Sequence, residues 1–349
     1  MRFLRSGSQS VIGLDIGTHS LKLVELGGSL TSPRVLAWGV APTPDKAFAE
    51  NAIADIGRLA DAVQSLIIRS GAKSDTVAVA ISSSHAITKV LGMPSDMRDV
   101  DLEEQVSIEA LHFVPYPIDE VNIDFEVIGP SSVNPDENDV LLVACRRSIV
   151  DDCIDLVEAS DLALKYVDID TYALERVARA QARLVPESQD PVALFDVGSQ
   201  SSHLMLMDSN RVVYSRHQNF GAAQLIKLIR REYGVNADEA EGILNSAQLP
   251  GDFNTTVQTP FAEQLHQEIN RALQFFYSSS PHSAVDSVIL SGRCSALEGL
   301  CTDLERQMRI KVTALNPFSG ARIMSNRSAA HQHYAALSTA YGLSMRGLS

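Results

Sequence analysis

The chain has 349 residues, 45% of them hydrophobic and 21% charged, with a net charge of −14. That length and apolar content suit two domains with separate cores and exclude disordered and fibrous classes. The acidic balance, with no sustained Lys/Arg block, argues against binding nucleic acid or an anionic membrane directly.

Met1–Ser10 lacks a signal-type apolar run and no stretch of about 18 consecutive apolar residues follows, so a cytoplasmic protein is expected. Cys145, Cys153, Cys294 and Cys301 are spaced by eight and seven, unlike zinc pairs, and read as reduced thiols in or near the core.

In chain order, short apolar runs at Val11–Asp15, Ser20–Leu26 and Val35–Val40 predict a three-strand meander. A helix over Lys46–Ser70, closed by Gly71, and a buried strand at Thr76–Ile81 follow. Between His85 and Leu164 the pattern restarts. Helices at Asp101–Phe113 and Ser148–Ser160 alternate with strands at Ala86–Leu91, Val121–Ile128 and Val140–Cys145, with a polar loop over Pro130–Asp139. Val114-Pro115-Tyr116-Pro117 must end the first of these helices.

From Pro191 the opening theme returns: strands Val192–Val197, His203–Met207 and Arg211–Arg216, then helix Ala222–Tyr233. Helices at Ala237–Asn245 and Phe261–Ser278, strand Ser287–Leu290, helix Ala296–Met308, strand Lys311–Ala314 and a last helix over His331–Leu343 complete the reading. The chain thus carries an internal repeat, expected to pack as two halves across a cleft.

The sharpest motif is Asp15-Ile16-Gly17-Thr18, which recurs as Asp196-Val197-Gly198-Ser199 at the equivalent place in the second half. A single Asp-x-Gly-[Ser/Thr] between strands is more often a hairpin turn than a site. Two copies can clamp a polyphosphate, because glycine lets backbone N–H groups approach phosphate oxygens, hydroxyls add donors, and carboxylates hold Mg²⁺ directly or through its waters.

These paired hairpins resemble the two phosphate motifs of the actin, Hsp70, sugar kinase and FtsA superfamily. The resemblance implies an α/β, actin-like fold, a duplicated ribonuclease H-like core of two domains with an inserted small α+β module of SHS2 type. It divides the chain into 1–84 plus 165–190, the insertion 85–164, and 191–349 with a helical subdomain at about 230–284. It gives Lys22 a phosphate contact, against the alternative of a solvated strand lysine. It makes Asp170, in Asp168-Ile169-Asp170-Thr171, the catalytic candidate for holding a metal-bound or attacking water, against the alternative of a helix N-cap.

Phe220-Gly221-Ala222-Ala223-Gln224-Leu225-Ile226 resembles the Gly-Gly-x-x-Leu-Thr pattern of the superfamily, and Glu241 falls where a ribose-contacting glutamate is placed. Ser291-Gly292-Arg293 opens a stretch that resembles the adenosine motif. Ala222, Ile226 and Arg293 depart from the pattern, and Arg293 is a candidate to stack on the base. The alternative for these glycines is punctuation of helices and strands.

Along most of its length the chain resembles the PilM family of type IV pilus assembly proteins, through DIGTHSLKLVEL (15–26), EALHFVPYPIDEVNIDFEV (109–127), DVLLVACR (139–146), VDIDTYALER (167–176) and YAALSTAYGLSMR (334–346). The resemblance implies ATP or ADP with Mg²⁺ in the cleft, metal contact by Asp15 and Asp196, and capture of the N-terminal cytoplasmic peptide of PilN beside the inserted module. That peptide would attach the protein to the inner face of the inner membrane and to other pilus and motor components. Phe113, Tyr116 and Ile118 are candidate wall residues of the peptide groove, or else core of the module. The resemblance leaves self-association open and favours a scaffold with at most slow ATP hydrolysis. A sugar or metabolite kinase and an FtsA-like division protein are the alternatives within the same superfamily.

Overall fold

The computed structural model describes residues 10–49, 52–131, 134–182, 190–208, 211–246, 248–324 and 334–348. The first half opens with β1 (Ile12–Ile16), β2 (Ser20–Ser29) and β3 (Ser32–Pro42), an antiparallel meander. A short pair, β4 (Phe48–Ala49) and β5 (Ala52–Ile53), precedes α1 (Ile56–Ser70) and β6 (Thr76–Ile81).

The helix expected from Lys46 therefore starts ten residues later. Lys46 has a left-handed backbone with φ 62°, Phe48 and Ala49 pair with Ile53 and Ala52 as strands, and the Asp55 carboxylate caps the helix by accepting from the Arg58 N–H. Its end is as expected: Gly71, at φ 75°, returns its N–H to the Ile67 carbonyl.

The insertion contains β7 (Ala86–Pro94), α2 (Asp99–Ala110), β8 (Val121–Pro130) and β9 (Glu137–Arg146), in sheet order β7-β9-β8. The strands run further into the predicted loop than expected and leave 131–136 as the connection, of which residues 132 and 133 lie outside the described residues. α2 stops at Ala110, before the prolines, and lays Leu102, Val106 and Ala110 on Val140, Leu142 and Ala144 of the sheet. Each apolar side chain removed from water in this way contributes about 1.5–3 kcal/mol before ordering costs.

α3 (Arg147–Ala159) packs Cys153, Leu156 and Val157 into the core beneath the first sheet, with Leu59 and Val63 of α1. By its contacts it belongs with the first half. β10 (Ala163–Ile169), for which the sequence reading assigns no strand, pairs parallel to β6 and leads into α4 (Asp170–Ala182).

The second half repeats the arrangement with β11 (Val192–Val197), β12 (Ser202–Asp208), β13 (Arg211–Gln218), α5 (Ala222–Tyr233), α6 (Ala237–Leu244), α7 (Thr259–Ser279), β14 (Ser287–Ser291), α8 (Leu300–Met308) and β15 (Lys311–Ala314). Its sheet order is β13-β12-β11-β14-β15, and the first sheet reads β3-β2-β1-β6-β10 in the same direction, with the same antiparallel and parallel pairings. α8 begins later than Ala296, because a 3-10 turn over Arg293–Ala296 ends before Gly299, whose φ of 86° interrupts the helical path.

β16 (Arg322–Ile323) and α9 (Ser338–Ser344) return to the first half. β16 pairs with β3, and the buried Ser344 hydroxyl donates to Val11 O and accepts from Leu26 N–H. The predicted start of the last helix at His331–His333 lies outside the described residues. One apolar cluster joins the halves: Val24, Leu26 and Trp38 meet Leu194, Met205 and Ile289, with Leu174 of α4 and Ala340 of α9 among them. The two halves are thus joined by buried side chains of both sheets with α4 and α9 among them, and Asp15 of β1 and Asp196 of β11 lie within electrostatic reach of each other.

Candidate functional site

The first hairpin follows β1. Asp15 and Lys22 stand opposite each other in the β1–β2 register, and Lys22 Nζ lies 3.0 Å from Asp15 Oδ2. The turn between them is closed by Gly17 N–H donating to Ser20 O at 3.2 Å, and Thr43 Oγ1 donates to Gly17 O at 2.6 Å. Thr18 is exposed at the tip. A β-carbon on Gly17 would sit 2.8 Å from Ser20 O; on Gly198 of the second hairpin it would sit 2.7 Å from Ser201 O. Both glycines are therefore required by the same close approach, three residues ahead in each case, so the repeat extends from motif to atomic packing.

The second hairpin is braced from behind. Gly198 O and Ser199 O accept from the N–H groups of Ala222 and Ala223 at the start of α5, next to Gly221. Ala222 and Ile226, two departures from the superfamily pattern, pack on the second core.

Three carboxylates converge between the hairpins. Burial pushes Asp196 up to about 6, the neighbouring Ser291 hydroxyl draws it partly back, and the negative charges of Asp170 and Asp15 push it up again. Asp170 is also raised, first by burial and in smaller part by Asp15, while the N–H groups of Ser83 and Thr171, both on its Oδ1, oppose the shift. Asp15 thus acts on both buried carboxyls, and the Lys22 ammonium offsets part of that charge at Asp196. Among the described residues no three His, Cys, Asp or Glu side chains form a ready-made metal cage.

Glu241 of α6 lies against Arg293, whose Nη2 is 2.6 Å from Glu241 Oε2. Gly292 precedes Arg293 at φ 86°, and a β-carbon there would strike the carbonyl of Val197. Glycine at this position thus lets the turn after β14 lie against the second hairpin. The Arg293 guanidinium is engaged by Glu241 and His19, while its buried Nε has no hydrogen-bond partner.

Sequence reasoning missed His19 and His203. His203 lies opposite Asp196 in the β11–β12 register, with Nδ1 3.3 Å from Ser83 Oγ and Nε2 2.6 Å from Ser215 Oγ. Burial, then the nearby His217, lowers it to about 4, so it is neutral at physiological pH. Its position one strand across from a motif aspartate was the available signal. His19 sits within the first motif string itself.

Phe113, Tyr116 and Ile118 lie away from the module's core and are 37%, 38% and 41% exposed. Lys89 Nζ lies 5.4 Å from the Phe113 ring centre and the Arg146 guanidinium 4.4 Å from that of Tyr116. With Leu111 also exposed, this end of the insertion shows apolar surface to solvent.

The sequence pattern that defines "Type IV pilus assembly protein PilM" matches residues 13–348. The chain belongs to the PilM family. Among solved structures it is similar to a chain of a "PilM-PilN type IV pilus biogenesis complex", at 25% identity over 97% of this chain and 99% of that one, with a TM-score of 0.81. It is also similar to the ethanolamine utilization protein EutJ from Carboxydothermus hydrogenoformans, at 14% identity over 96% of this chain and 89% of that one, with a TM-score of 0.59. The second likeness concerns the fold, which is the actin-like ATPase fold expected of a PilM family member. Among the described residues no helix is long and apolar enough to cross a membrane.

Proposed function

We propose that this PilM family member is a nucleotide-responsive scaffold of type IV pilus assembly, which binds MgATP or MgADP in its cleft and the N-terminal cytoplasmic peptide of PilN at its inserted module. The observation that carries the cleft reading is the convergence of two equivalent glycine hairpins on Asp15, Asp170 and Asp196, with Lys22 beside them. The unpartnered Arg293 Nε adds a donor in search of an acceptor at the nucleoside end.

In this reading Gly17, Thr18, Lys22, Gly198 and Ser199 contact the phosphates. Asp15 and Asp196 hold Mg²⁺ through its waters, in keeping with the reluctance of that ion to dehydrate. Bound there, the ion would add positive charge to that of Lys22 among the carboxylates. Gly221, Glu241, Gly292 and Arg293 take the nucleoside. Asp170 orients a water, and because its Oδ1 is already held by two backbone N–H groups, turnover is slow. The PilN peptide docks beside Phe113, Tyr116 and Ile118 and keeps a cytoplasmic protein at the inner face of the inner membrane, linked to other pilus and motor components.

Calorimetric titration with a synthetic PilN N-terminal peptide, with and without MgATP, tests the reading. Saturable peptide binding whose affinity changes with nucleotide is expected. A folded sample that binds neither ligand would refute it.

A further inference from the structure

His19 touches two residues from the far side of the cleft. Its Nε2 lies 3.3 Å from Glu241 Oε1 and 3.1 Å from Arg293 Nη1. Glu241 and Arg293 both belong to the second half, so their own 2.6 Å ion pair does not bridge the halves. The imidazole does, from the tip of the first hairpin, 274 residues from Arg293 in sequence.

A carboxylate only accepts and a guanidinium only donates, so one ring nitrogen between them serves one partner at a time, according to its protonation. Burial acts to raise the Glu241 carboxyl, but bonding to His19 and the Arg293 charge outweigh it and hold the carboxyl below its ordinary value. Arg293 Nε stays without a partner. These groups face the space between the first hairpin and the nucleoside end, which a nucleotide gripped by both must span.

We propose that His19, Glu241 and Arg293 form a latch across the cleft, and that nucleotide enters by displacing His19. The inference rests on the nucleotide reading of the cleft. Glu241 then exchanges the imidazole for hydroxyl donors on the ligand, and Arg293 turns its released N–H groups, with the unpartnered Nε, toward ligand acceptors. His19 is an internal competitor that lowers nucleotide affinity. The glycine-to-arginine departure in the adenosine motif is then a device for closing the site.

The test is His19→Ala, a substitution at a side chain 44% exposed and outside the core. Hydrogen–deuterium exchange without nucleotide should quicken in both the β1–β2 hairpin and α6, two elements joined at this point through the imidazole. MgADP titration by calorimetry should show about two- to fivefold tighter binding, the range spanned by one partly exposed ionic contact. Unchanged exchange in α6 overturns the latch. Faster exchange with unchanged or weaker MgADP binding overturns the competition. If neither protein binds MgADP, the nucleotide reading and the competition built on it both fail, and exchange alone still decides whether His19 holds the halves together.

Discussion

Lys22 Nζ lies 3.0 Å from Asp15 Oδ2, straight across the first hairpin, in a cleft where Asp196 is also close enough to feel that charge. Lys22 lowers Asp196 as Asp15 raises it, so this ammonium offsets part of the negative charge of Asp15 and Asp196. Lys22→Ala should weaken MgATP binding by about ten- to a hundredfold, since a charged contact to phosphate is worth about 1.5–3 kcal/mol. The stability cost of losing a partly exposed pair should stay near 1 kcal/mol. Calorimetry and a thermal melt on the same sample separate the two effects.

Asp196 leads to a prediction with a definite pH window. Its carboxyl titrates near 6 in the folded protein, above its ordinary value, so the folded state binds more protons than the unfolded state between about pH 4 and 6. Stability therefore falls as pH rises through that window, and above about pH 6 the ionised, buried carboxylate costs about 1–3 kcal/mol. Asp196→Asn removes the charge. Without ligand it should melt higher than the parent protein at pH 7.5 and close to it at pH 4.5, while Mg²⁺-dependent nucleotide binding is lost. A mutant less stable than the parent at pH 7.5 would show that the carboxylate is paired in some other way.

Much of this was legible in the sequence where the signal is local. β6, β11, β15 and α5 have the bounds that periodicity and flanking glycines predict, and the doubled Asp-x-Gly motif foretold two equivalent hairpins. What escaped depends on distant partners. β10 is a strand because β6 offers it a parallel edge, and its own alternation is weak. Lys46–Ile53 has helix-compatible composition but is diverted by strand pairing and a left-handed residue. His203 meets Ser83 across 120 residues, and no spacing rule anticipates such a contact.

The apolar end of the insertion should be separable from the cleft. Phe113, Tyr116 and Ile118 are well exposed, so replacing all three with alanine should change the melting temperature little and leave MgATP affinity intact. Binding of the PilN peptide should fall by at least about tenfold, as expected when aromatic anchors of a small interface are truncated. Calorimetry with peptide and with nucleotide on the triple variant checks both halves of the statement. Retained peptide affinity would move the docking site elsewhere on the protein.

Gly292 makes the opposite kind of prediction, because here fold and site cannot be pulled apart. Its φ of 86° is strained for any side chain, and the carbonyl of Val197 occupies the place of a β-carbon. Val197 lies between Asp196 and Gly198, so the backbone that must retreat is the second phosphate hairpin itself. Gly292→Ala should cost about 2–4 kcal/mol, from backbone strain and a displaced strand end. The same displacement should abolish nucleotide binding even where the variant remains folded. By contrast, Gly71→Ala, also at positive φ but with open space around it, should cost only about 1 kcal/mol and leave the cleft untouched. Comparing the two by denaturant unfolding and MgATP titration separates strain at a helix end from strain that reaches the site, and equal behaviour of the two variants would contradict the tight packing of β14 on the hairpin.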